Sequence, residues 1–373
     1  MKIKVCQVTS VHSRYDVRIF RKIAKSLALG DYLSCILVCD DLPDETRDDV
    51  VFYAVRYTAK NRASRILNSS KKLYKKALQI NADLYHLHDP ELLKLGLKLK
   101  KAGKRVIFDS HEDYYFKMAE KTWIPKPFRK IVQKIYGIKE KKALKKFDGV
   151  ISVTPHIVER LKKINNNTVM ITNYPAKISL PKRDRERIIC FAGGISSVYN
   201  HDKVIEAIST LDNIKYCVAG NASREYLDYL KTIPGYDKVE YLGVLSYEDV
   251  MKLYAKSSLG IVTYNYSPSL GGKLGTLGVL KLFEYIQCNV PMIATDFELW
   301  KPIVEGNNVG LCVNPNSVEE IRSAIDKLLN DSMFHSECIK NCDNIKDIYC
   351  WDSQKKILFN FYDNILNKDI NCI

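Results

Sequence analysis

A single carboxylate, Glu284, stands in the otherwise apolar stretch GVLKLFEYIQCNVPMIATDF, which begins with a helix-like pattern and leads into the strand-like run PMIAT. A carboxylate in such a place can accept hydrogen bonds from sugar hydroxyls, as it does from ribose in dinucleotide sites. Lys281 lies one helical turn earlier, and the preceding loop SPSLGGKLGTLG contains Lys273. A helix start with glycines and lysines favours an anion such as a diphosphate.

Three further glycine turns follow strand-like runs in the same half of the chain. They are Gly193-Gly194 in FAGGISS, Gly220-Asn221 in VAGNA and Gly243 in YLGVL. Each alone is equally typical of a tight turn after a strand, and none matches a P-loop or a G-x-G-x-x-G motif. Three such turns together predict a nucleotide-sized ligand across the edge of one sheet.

Histidines end two strand-like runs of the first half, DLYHLH and RVIFDSH. His86, His88 and Asp89 have the composition of a metal site, but a strand end followed by a capped helix explains them better, so we expect no metal. His111 ends a strand at the sheet edge where parallel α/β sheets bind ligands, and we assign it a functional role.

The elements that position these residues alternate between strand and helix along the whole chain. The 373 residues predict two domains, and the alternation predicts an α/β fold with doubly wound parallel sheets. We expect a domain over residues 1–178, a polar linker, a second domain over 186–350, and a terminal helix within 351–373 that packs back on the first domain. Helices are predicted from about Asp16 to Ala28, after Asp89-Pro90, and over Asp202–Ser209.

The net charge of +15 is concentrated in the first half, which predicts an anionic partner. Residues 121–147 carry ten Lys/Arg and one acid, with apolar residues near helical spacing. This pattern is typical of a helix lying on an anionic membrane, and equally typical of a core-packed helix with a basic outer face. The lysines alternate with aliphatic rather than aromatic residues, so we expect no nucleic-acid partner.

Cysteines occur singly, mostly in apolar runs, which predicts free thiols in a reducing compartment. No run of about 18 apolar residues is present, and the first residues lack a signal-peptide pattern. We therefore expect a cytoplasmic protein, peripheral on the inner face of the membrane.

The stretch VLKLFEYIQCNVPMIATD resembles the KLFEYMA-type signature of family 4 glycosyltransferases, which have the two-domain GT-B fold. The resemblance extends over nearly the whole chain, because TSVHSRYDVRIFRKIAKSLALGDY, HLHDPELL, FDSHEDY, GVISVT and ITNYP follow the family's order. It implies two Rossmann-like domains that face a central cleft, and a retaining sugar transferase that needs no metal or other cofactor. The nucleotide-sugar is then a substrate.

The resemblance also implies roles for particular residues. Glu284 would bind the donor ribose, and His111 and Lys281 would act at the donor sugar and the leaving diphosphate. The remaining nucleotide-sugar-binding candidates are Gly193, Gly194, Lys273, Gly220, Asn221, Gly243, Val244, Thr276 and Leu282. The acceptor-side candidates are His12, Asp16, Arg18, His88 and Asp89.

Two departures from the family pattern concern the donor. Thr276 stands eight positions before Glu284, where many members have a second glutamate, and GGISSVYNHDK lacks the usual Arg and Lys after the first glycine. Neutralisation of the diphosphate then depends on other groups, for which Lys273 and Lys281 are our candidates.

We expect transfer from a nucleotide diphosphate sugar, with UDP favoured, to a saccharide or polyprenyl-diphosphate-linked acceptor in surface polysaccharide assembly. A nucleotide-sugar 2-epimerase of the same fold and a non-catalytic protein that binds anionic lipid are the alternatives.

Overall fold

The computed structural model describes residues 2–56, 62–120, 124–179 and 184–366, with side chains except at 62–70, 120 and 269. The chain divides into two compact units. One comprises Met1–Asn173 with Gln354–Ile373, and the other comprises Tyr174–Ser353.

The first unit is built on an eight-stranded sheet in the order β3-β4-β2-β1-β5-β6-β7-β8. All neighbouring strands are parallel except β3 and β4. The strands are β1 (Ile3–Val8), β2 (Tyr32–Val38), β3 (Glu45–Arg47), β4 (Val50–Ala54), β5 (Leu84–Leu87), β6 (Arg105–Ser110), β7 (Gly149–Ser152) and β8 (Thr168–Met170).

Helices connect these strands, as the alternating sequence predicts. A helical segment at Val17–Ala24 with π-type bonding continues into α1 (Lys25–Ala28), within the predicted range. The others are α2 (Arg62–Ile80), α3 (Leu93–Lys101), α4 (Tyr114–Glu120), α5 (Lys126–Leu144) and α6 (Pro155–Lys162).

The second unit is built on a six-stranded parallel sheet in the order β11-β10-β9-β12-β13-β14. Its strands are β9 (Glu186–Ala192), β10 (Lys215–Ala219), β11 (Val239–Tyr241), β12 (Ser257–Val262), β13 (Met292–Thr295) and β14 (Gly310–Val313). Its helices are α7 (His201–Ile208), α8 (Arg224–Leu230), α9 (Tyr247–Lys256), α10 (Lys281–Gln287), α11 (Lys301–Val304), α12 (Val318–Asn330) and α13 (Ser332–Ile345).

Helix α14 (Trp351–Leu366) begins in the second unit and continues in the first. Its Phe361 ring lies against Gly149, where any side chain would overlap it. The hydroxyl of Tyr362 bonds to Nδ1 of His86 at 2.6 Å. The apolar face of this amphipathic helix is thus buried on the sheet of the first unit. Tyr174 already belongs to the second unit, a few residues before the end of the domain expected from the sequence.

In the first unit β5 and β7 are buried at every position, because helices cover both faces of the sheet. In the second unit β12 and β13 are buried at every position, which matches their near-continuous apolar runs. In both units the carboxyl ends of neighbouring strands meet at one edge, where open α/β sheets bind ligands. No helix in the described ranges is both long and apolar enough to cross a membrane.

Candidate active site

The three glycine turns of the second unit lie side by side, because they follow the neighbouring strands β9, β10 and β11. The Gly193 amide donates to the Ala219 carbonyl at 2.8 Å, and the Gly220 amide donates to the Gly243 carbonyl at 2.7 Å. Gly220 has a φ of 146°, and a Cβ there would overlap the carbonyl oxygen of Gly193. The close approach of two backbones therefore requires this glycine.

These bonds change the roles expected for the Gly193-Gly194 pair. The sequence predicts both glycines at a nucleotide-sugar, but the Gly193 N–H is already bonded to the end of the neighbouring strand β10. Within the described ranges only Gly194 of the two has an N–H without a hydrogen bond. This bond follows from sheet geometry, since the first residue after a strand extends the ladder before the chain turns away. Val244 and Asn221 are exposed beside these turns.

Lys281 begins helix α10, and its ammonium group lies beside Gly193 among three aromatic rings. The nitrogen is 4.9 Å from the ring centroids of Phe191 and Tyr199 and 5.7 Å from that of Tyr264. Burial lowers the pKa of Lys281 to about 8, which the nearby carboxylate of Glu284 only partly offsets. A cation held over ring faces with little water around it is a ready partner for an anion.

Glu284 follows on the same helix and is 7% exposed. The Tyr254 hydroxyl lies 3.5 Å from its Oε2 atom. The flanking residues of α10 are buried in the core, so Glu284 is a polar group set in an apolar wall. Leu282, expected at the nucleotide, is fully buried in this core. Its side chain packs inside the domain, so only its backbone is left for such a role.

Thr276 and Lys273 lie on the glycine-rich loop before α10. The Thr276 hydroxyl accepts a hydrogen bond from the Gly278 amide at 3.1 Å, and its carbonyl accepts one from the Trp300 indole at 2.8 Å. Thr276 therefore shapes the loop that leads into α10. Lys273 is exposed, with its ammonium 5.4 Å from the Tyr266 ring centroid. Lys281, not Lys273, is the lysine beside the glycine turn.

The centre of the first unit's polar cluster is a fully buried ion pair between Arg18 and Asp109. The guanidinium donates from Nε at 2.9 Å and from Nη2 at 3.0 Å to the two carboxylate oxygens. Nη2 also donates to the Ile171 carbonyl at 2.9 Å. Burial alone would raise the pKa of Asp109, but Arg18 and His111 outweigh it and keep that pKa well below its usual range. The guanidinium of Arg18, which we expected on the acceptor side, is thus bonded to Asp109 inside the first unit.

Another acceptor-side residue, His12, lies between Asp16 and Asp89 near the ends of β1 and β5. His12 Nδ1 is 3.3 Å from Asp16 and its Nε2 is 3.4 Å from Asp89. The hydrogen bond to Asp16 raises the pKa of His12 above its ordinary value. Asp16 also caps the π-type segment by accepting from the Arg18 and Ile19 amides.

Asp89 does not cap the helix that follows it, which corrects the role expected from Asp-Pro. Its side chain makes no cap bond, and its Oδ2 instead accepts from the Thr9 hydroxyl at 2.9 Å and the Ser10 amide at 2.6 Å. Oδ2 of Asp89 thus connects the loop after β1 to the end of the neighbouring strand β5. The other carboxylate oxygen, Oδ1, faces His12.

His88 and His111 end the neighbouring strands β5 and β6, and their rings are in contact. Nδ1 of His88 is 3.1 Å from Nε2 of His111, and the ring centroids of His12 and His111 are 5.2 Å apart. Burial lowers the pKa of His88 well below its ordinary value and that of His86 to about 3, so both rings are neutral. The sequence-predicted His12, His88, Asp89 and His111 are therefore brought together at one sheet edge.

Within the described residues, one group of side chains could bind a metal ion. It consists of His86, His88 and Asp109, whose ligand atoms lie within 4.8 Å of one another. Arg18 already donates to both oxygens of Asp109. A divalent ion would have to share that carboxylate with a buried cation, which like-charge repulsion opposes. We therefore retain the expectation that no metal binds here.

Three residues that contact this histidine cluster were not predicted from the sequence. Gln7 lies 2.8 Å from Nε2 of His88, Tyr362 bonds to His86, and Asp109 faces all three histidines in or after β5 and β6. Gln7 and Asp109 lie in the apolar strands KVCQV and RVIFDS, and a polar residue in a strand buried on both faces is a usable signal. Tyr362 gave no such signal, because a tyrosine on an amphipathic helix is common.

Comparisons with known proteins agree with this architecture. Residues 175–344 match the family model "Glycosyl transferases group 1", and residues 17–173 match "Glycosyltransferase Family 4". A comparison with curated protein sequences finds no match.

Several solved structures share the fold. Sucrose-phosphate synthase from Thermosynechococcus elongatus is 14% identical with a TM-score of 0.76, over 97% of this chain and 99% of that one. A glycosyltransferase from Rickettsia africae is 19% identical with a TM-score of 0.72, over 98% and 99%. Anabaena HepE, in complex with UDP and glucose, is 12% identical with a TM-score of 0.70, over 97% and 100%.

The chain is therefore a glycosyltransferase of the family 4 type. Its two parallel-sheet α/β units form the GT-B fold, which confirms the fold class expected from the sequence.

Proposed function

We propose that this enzyme transfers a hexose or N-acetylhexosamine unit from a UDP-sugar, with retention, to a saccharide or polyprenyl-diphosphate-linked saccharide in surface polysaccharide assembly. The observation that carries the proposal is Lys281, a poorly hydrated cation one helical turn before Glu284 and beside the glycine turn. A diphosphate fits the lysine, and ribose hydroxyls fit the carboxylate. The preference for UDP is supported by HepE, whose structures contain UDP and UDP-glucose.

The proposed chemistry needs charge stabilisation at the leaving group more than a protein nucleophile. The bond between the anomeric carbon and the diphosphate oxygen breaks, and the acceptor oxygen attacks from the same face. The acceptor proton passes to the departing diphosphate oxygen. Lys281 and the free Gly194 amide stabilise the charge that develops there. In the first unit, His111 would meet the donor sugar, and His12 with Asp89 would meet the acceptor.

We further propose that α5 docks on an anionic membrane, where a lipid-linked acceptor would be reached. Phe128, Ile131, Ile135 and Ile138 are 57%, 52%, 47% and 69% exposed and follow one stripe of the helix. The opposite face is buried at Glu140, Ala143 and Leu144.

Exposed lysines, including Lys134, Lys139 and Lys142, lie on or beside this stripe. Each contributes about 1 kcal/mol at an anionic surface, a contribution that salt weakens. The exposed stripe favours the membrane interpretation over a core-packed helix. It also supports placing the enzyme on the cytoplasmic face, together with the free cysteines of the described residues.

The donor is tested by thermal shift with UDP, GDP and ADP on the wild type, Glu284→Ala and the surface control Glu337→Ala. We expect UDP at 100 times its dissociation constant to stabilise the wild type and the control by about 2.7 kcal/mol, and to leave Glu284→Ala unchanged. If no nucleotide stabilises the wild type, the donor proposal is wrong. Incubation of UDP-sugars with and without saccharide acceptors then separates transfer from 2-epimerisation, which needs donor alone. NMR of the new glycosidic bond reports retention.

The membrane surface is tested by sedimentation with vesicles of phosphatidylglycerol and phosphatidylcholine. The wild type should sediment at low salt and be released at high salt, whereas Ile131→Ser/Ile138→Ser should remain in solution. Met333→Ser, which alters an exposed apolar residue of the second unit, should behave as the wild type. Equal sedimentation of the double variant would refute docking through α5.

A further inference from the structure

A continuous chain of buried hydrogen bonds joins the terminal helix to His111. Tyr362 of α14 bonds to Nδ1 of His86 at 2.6 Å and lies 3.4 Å from the amide nitrogen of Gln7. The amide oxygen of Gln7 is 2.8 Å from Nε2 of His88, and Nδ1 of His88 is 3.1 Å from Nε2 of His111. Gln7, His86 and His88 are fully buried, so water does not compete for these bonds.

With the three histidine rings neutral, the atoms in this chain allow two self-consistent arrangements of protons. In the first, the Gln7 amide donates to the Tyr362 oxygen, and the Tyr362 hydroxyl donates to His86 Nδ1. Nε2–H of His88 then donates to the Gln7 oxygen, and Nε2–H of His111 donates to His88 Nδ1. In the second arrangement the Gln7 amide is turned over and every donor and acceptor is exchanged. A mixture of the two would place two donors or two lone pairs against each other without water.

The carboxylate of Asp109 favours one of the two arrangements, and Gln7 supplies the buried partner that His88 needs in it. Its Oδ2 is 3.4 Å from Nε2 of His111 and 3.6 Å from Nε2 of His86, and 3.7 Å from Nδ1 of His88. The first arrangement turns two N–H groups towards the anion, at the two shorter distances. The second turns two lone pairs towards it and one N–H at the longest distance. The electrostatic energy near Asp109 therefore favours the first arrangement, and the preference is stronger in this buried site than it would be in water.

We propose that Gln7, supported by Tyr362, is a positioning residue that holds His88 and His111 as Nε2–H tautomers, so that Nδ1 of His111 is a hydrogen-bond acceptor. Nδ1 of His111 forms no hydrogen bond within the described part of the chain. Its place at the end of β6 suits a donor-sugar hydroxyl. This last step rests on the proposed function, whereas the tautomer assignment rests on the hydrogen-bond chain alone.

The tautomers are read directly by long-range ¹H–¹⁵N NMR of the full chain labelled with ¹⁵N-histidine. The chain has seven histidines, which single His→Gln variants assign. We expect His86, His88 and His111 of the wild type to show a protonated Nε2 and a bare Nδ1. A protonated Nδ1 on His111 overturns the proposal, and this wild-type measurement needs no variant that could fail to fold.

Two variants test which residues set the tautomers. Gln7→Leu removes the acceptor of His88, and we expect His88 and His111 to become mixtures of both tautomers. Tyr362→Phe leaves the Gln7–His88 bond in place, and we expect a change confined to His86. His201, which bonds to Tyr216 at 2.8 Å in the second unit, is the internal reference and should not change in either variant. A pure Nε2–H signal for His111 in Gln7→Leu contradicts the positioning role.

Kinetics separate this role from a structural one and from the donor proposal. We expect Gln7→Leu to lower kcat for sugar transfer about 10-fold and to leave the dissociation constant of UDP unchanged, since UDP binds through the second unit. An unchanged kcat overturns the positioning role. If the wild type transfers no sugar, the proposed function fails, while the NMR result on the tautomers stands by itself.

Discussion

Replacing Lys281 with methionine should make the protein more stable and make nucleotide binding weaker. Methionine keeps much of the length of lysine, and its thioether packs well against aromatic rings such as Phe191, Tyr199 and Tyr264. What it removes is a positive charge held beside Gly193 with little water around it. A lysine kept for structure would show the opposite result, because its loss would reduce stability.

The magnitude follows from the pKa of Lys281. Its fall from 10.5 to about 8 corresponds to about 3 kcal/mol against the charged form at neutral pH. The charged lysine therefore costs the unliganded protein about 3 kcal/mol, and Lys281→Met should raise the midpoint of the second unit's unfolding by roughly 6–12 °C.

The same charge makes UDP binding depend on pH. The folded-state pKa lies below the unfolded value, so the stability cost is fully present below pH 8 and disappears as the pH rises towards 10.5. A bound diphosphate would restore the proton. At pH 8 binding should therefore take up about half a proton, and affinity should fall as the pH rises further. The nearby titratable groups are Glu284, His201, Tyr199 and Tyr264, whose hydroxyl accepts a hydrogen bond from Lys281 at 3.4 Å. Burial lowers the pKa of His201 to about 3 and raises that of Tyr264, so both stay neutral near pH 8.

Calorimetric titration with UDP at pH 8, in two buffers of different ionisation enthalpy, measures the proton uptake. Lys281→Met should take up no proton and bind UDP about 10- to 100-fold more weakly. Lys203→Met, which alters a lysine beyond the same glycine loop, is the control and should resemble the wild type. Wild-type affinity in Lys281→Met, or a lower unfolding midpoint, would refute the reasoning.

Three further outcomes test the architecture around the two candidate sites. Gly220→Ala should lower the free energy of unfolding by about 2–4 kcal/mol and abolish the UDP response, because its Cβ overlaps a backbone oxygen. Gly243→Ala, at a φ of 66° with open space around it, should lower the free energy of unfolding by only about 1 kcal/mol in the same denaturant titrations. Asp109→Asn should cost about 3–5 kcal/mol by leaving Arg18 buried without its ion-pair partner, whereas the partly exposed Asp148→Asn should cost about 1 kcal/mol or less in the same titrations. In an NMR titration, Asp16→Asn should lower the pKa of His12, since the Asp16 carboxylate is the main cause that raises it. The stability contributed by the His12–Asp16 pair is present below pH 6.5 and is lost as the pH rises through the raised pKa of folded His12. An unchanged His12 titration in Asp16→Asn would contradict the pairing.

The sequence by itself determined the class of fold and the family. Alternating strand and helix patterns leave few solutions other than doubly wound parallel sheets, because each apolar strand must be covered on both faces. The KLFEYIQ segment, with Lys281 and Glu284 one turn apart, placed two polar groups on a buried helix by periodicity alone. Strand-end residues such as His111 and Gly220 could be predicted for the same reason, since parallel strands bring their carboxyl ends to one edge.

Only the tertiary structure decided which groups are free and which are already committed. Arg18 pairs with Asp109, 91 positions away in the chain, and Gln7 lies within hydrogen-bonding distance of Tyr362 on the last helix. Such distant pairings cannot be read from local spacing, because any buried polar residue needs a partner but the sequence does not say which one. The exposure of Ile131 and Ile138 on α5 was undecided for a similar reason. An amphipathic helix has the same pattern whether its apolar stripe meets a core or faces outward, and only packing distinguishes the two.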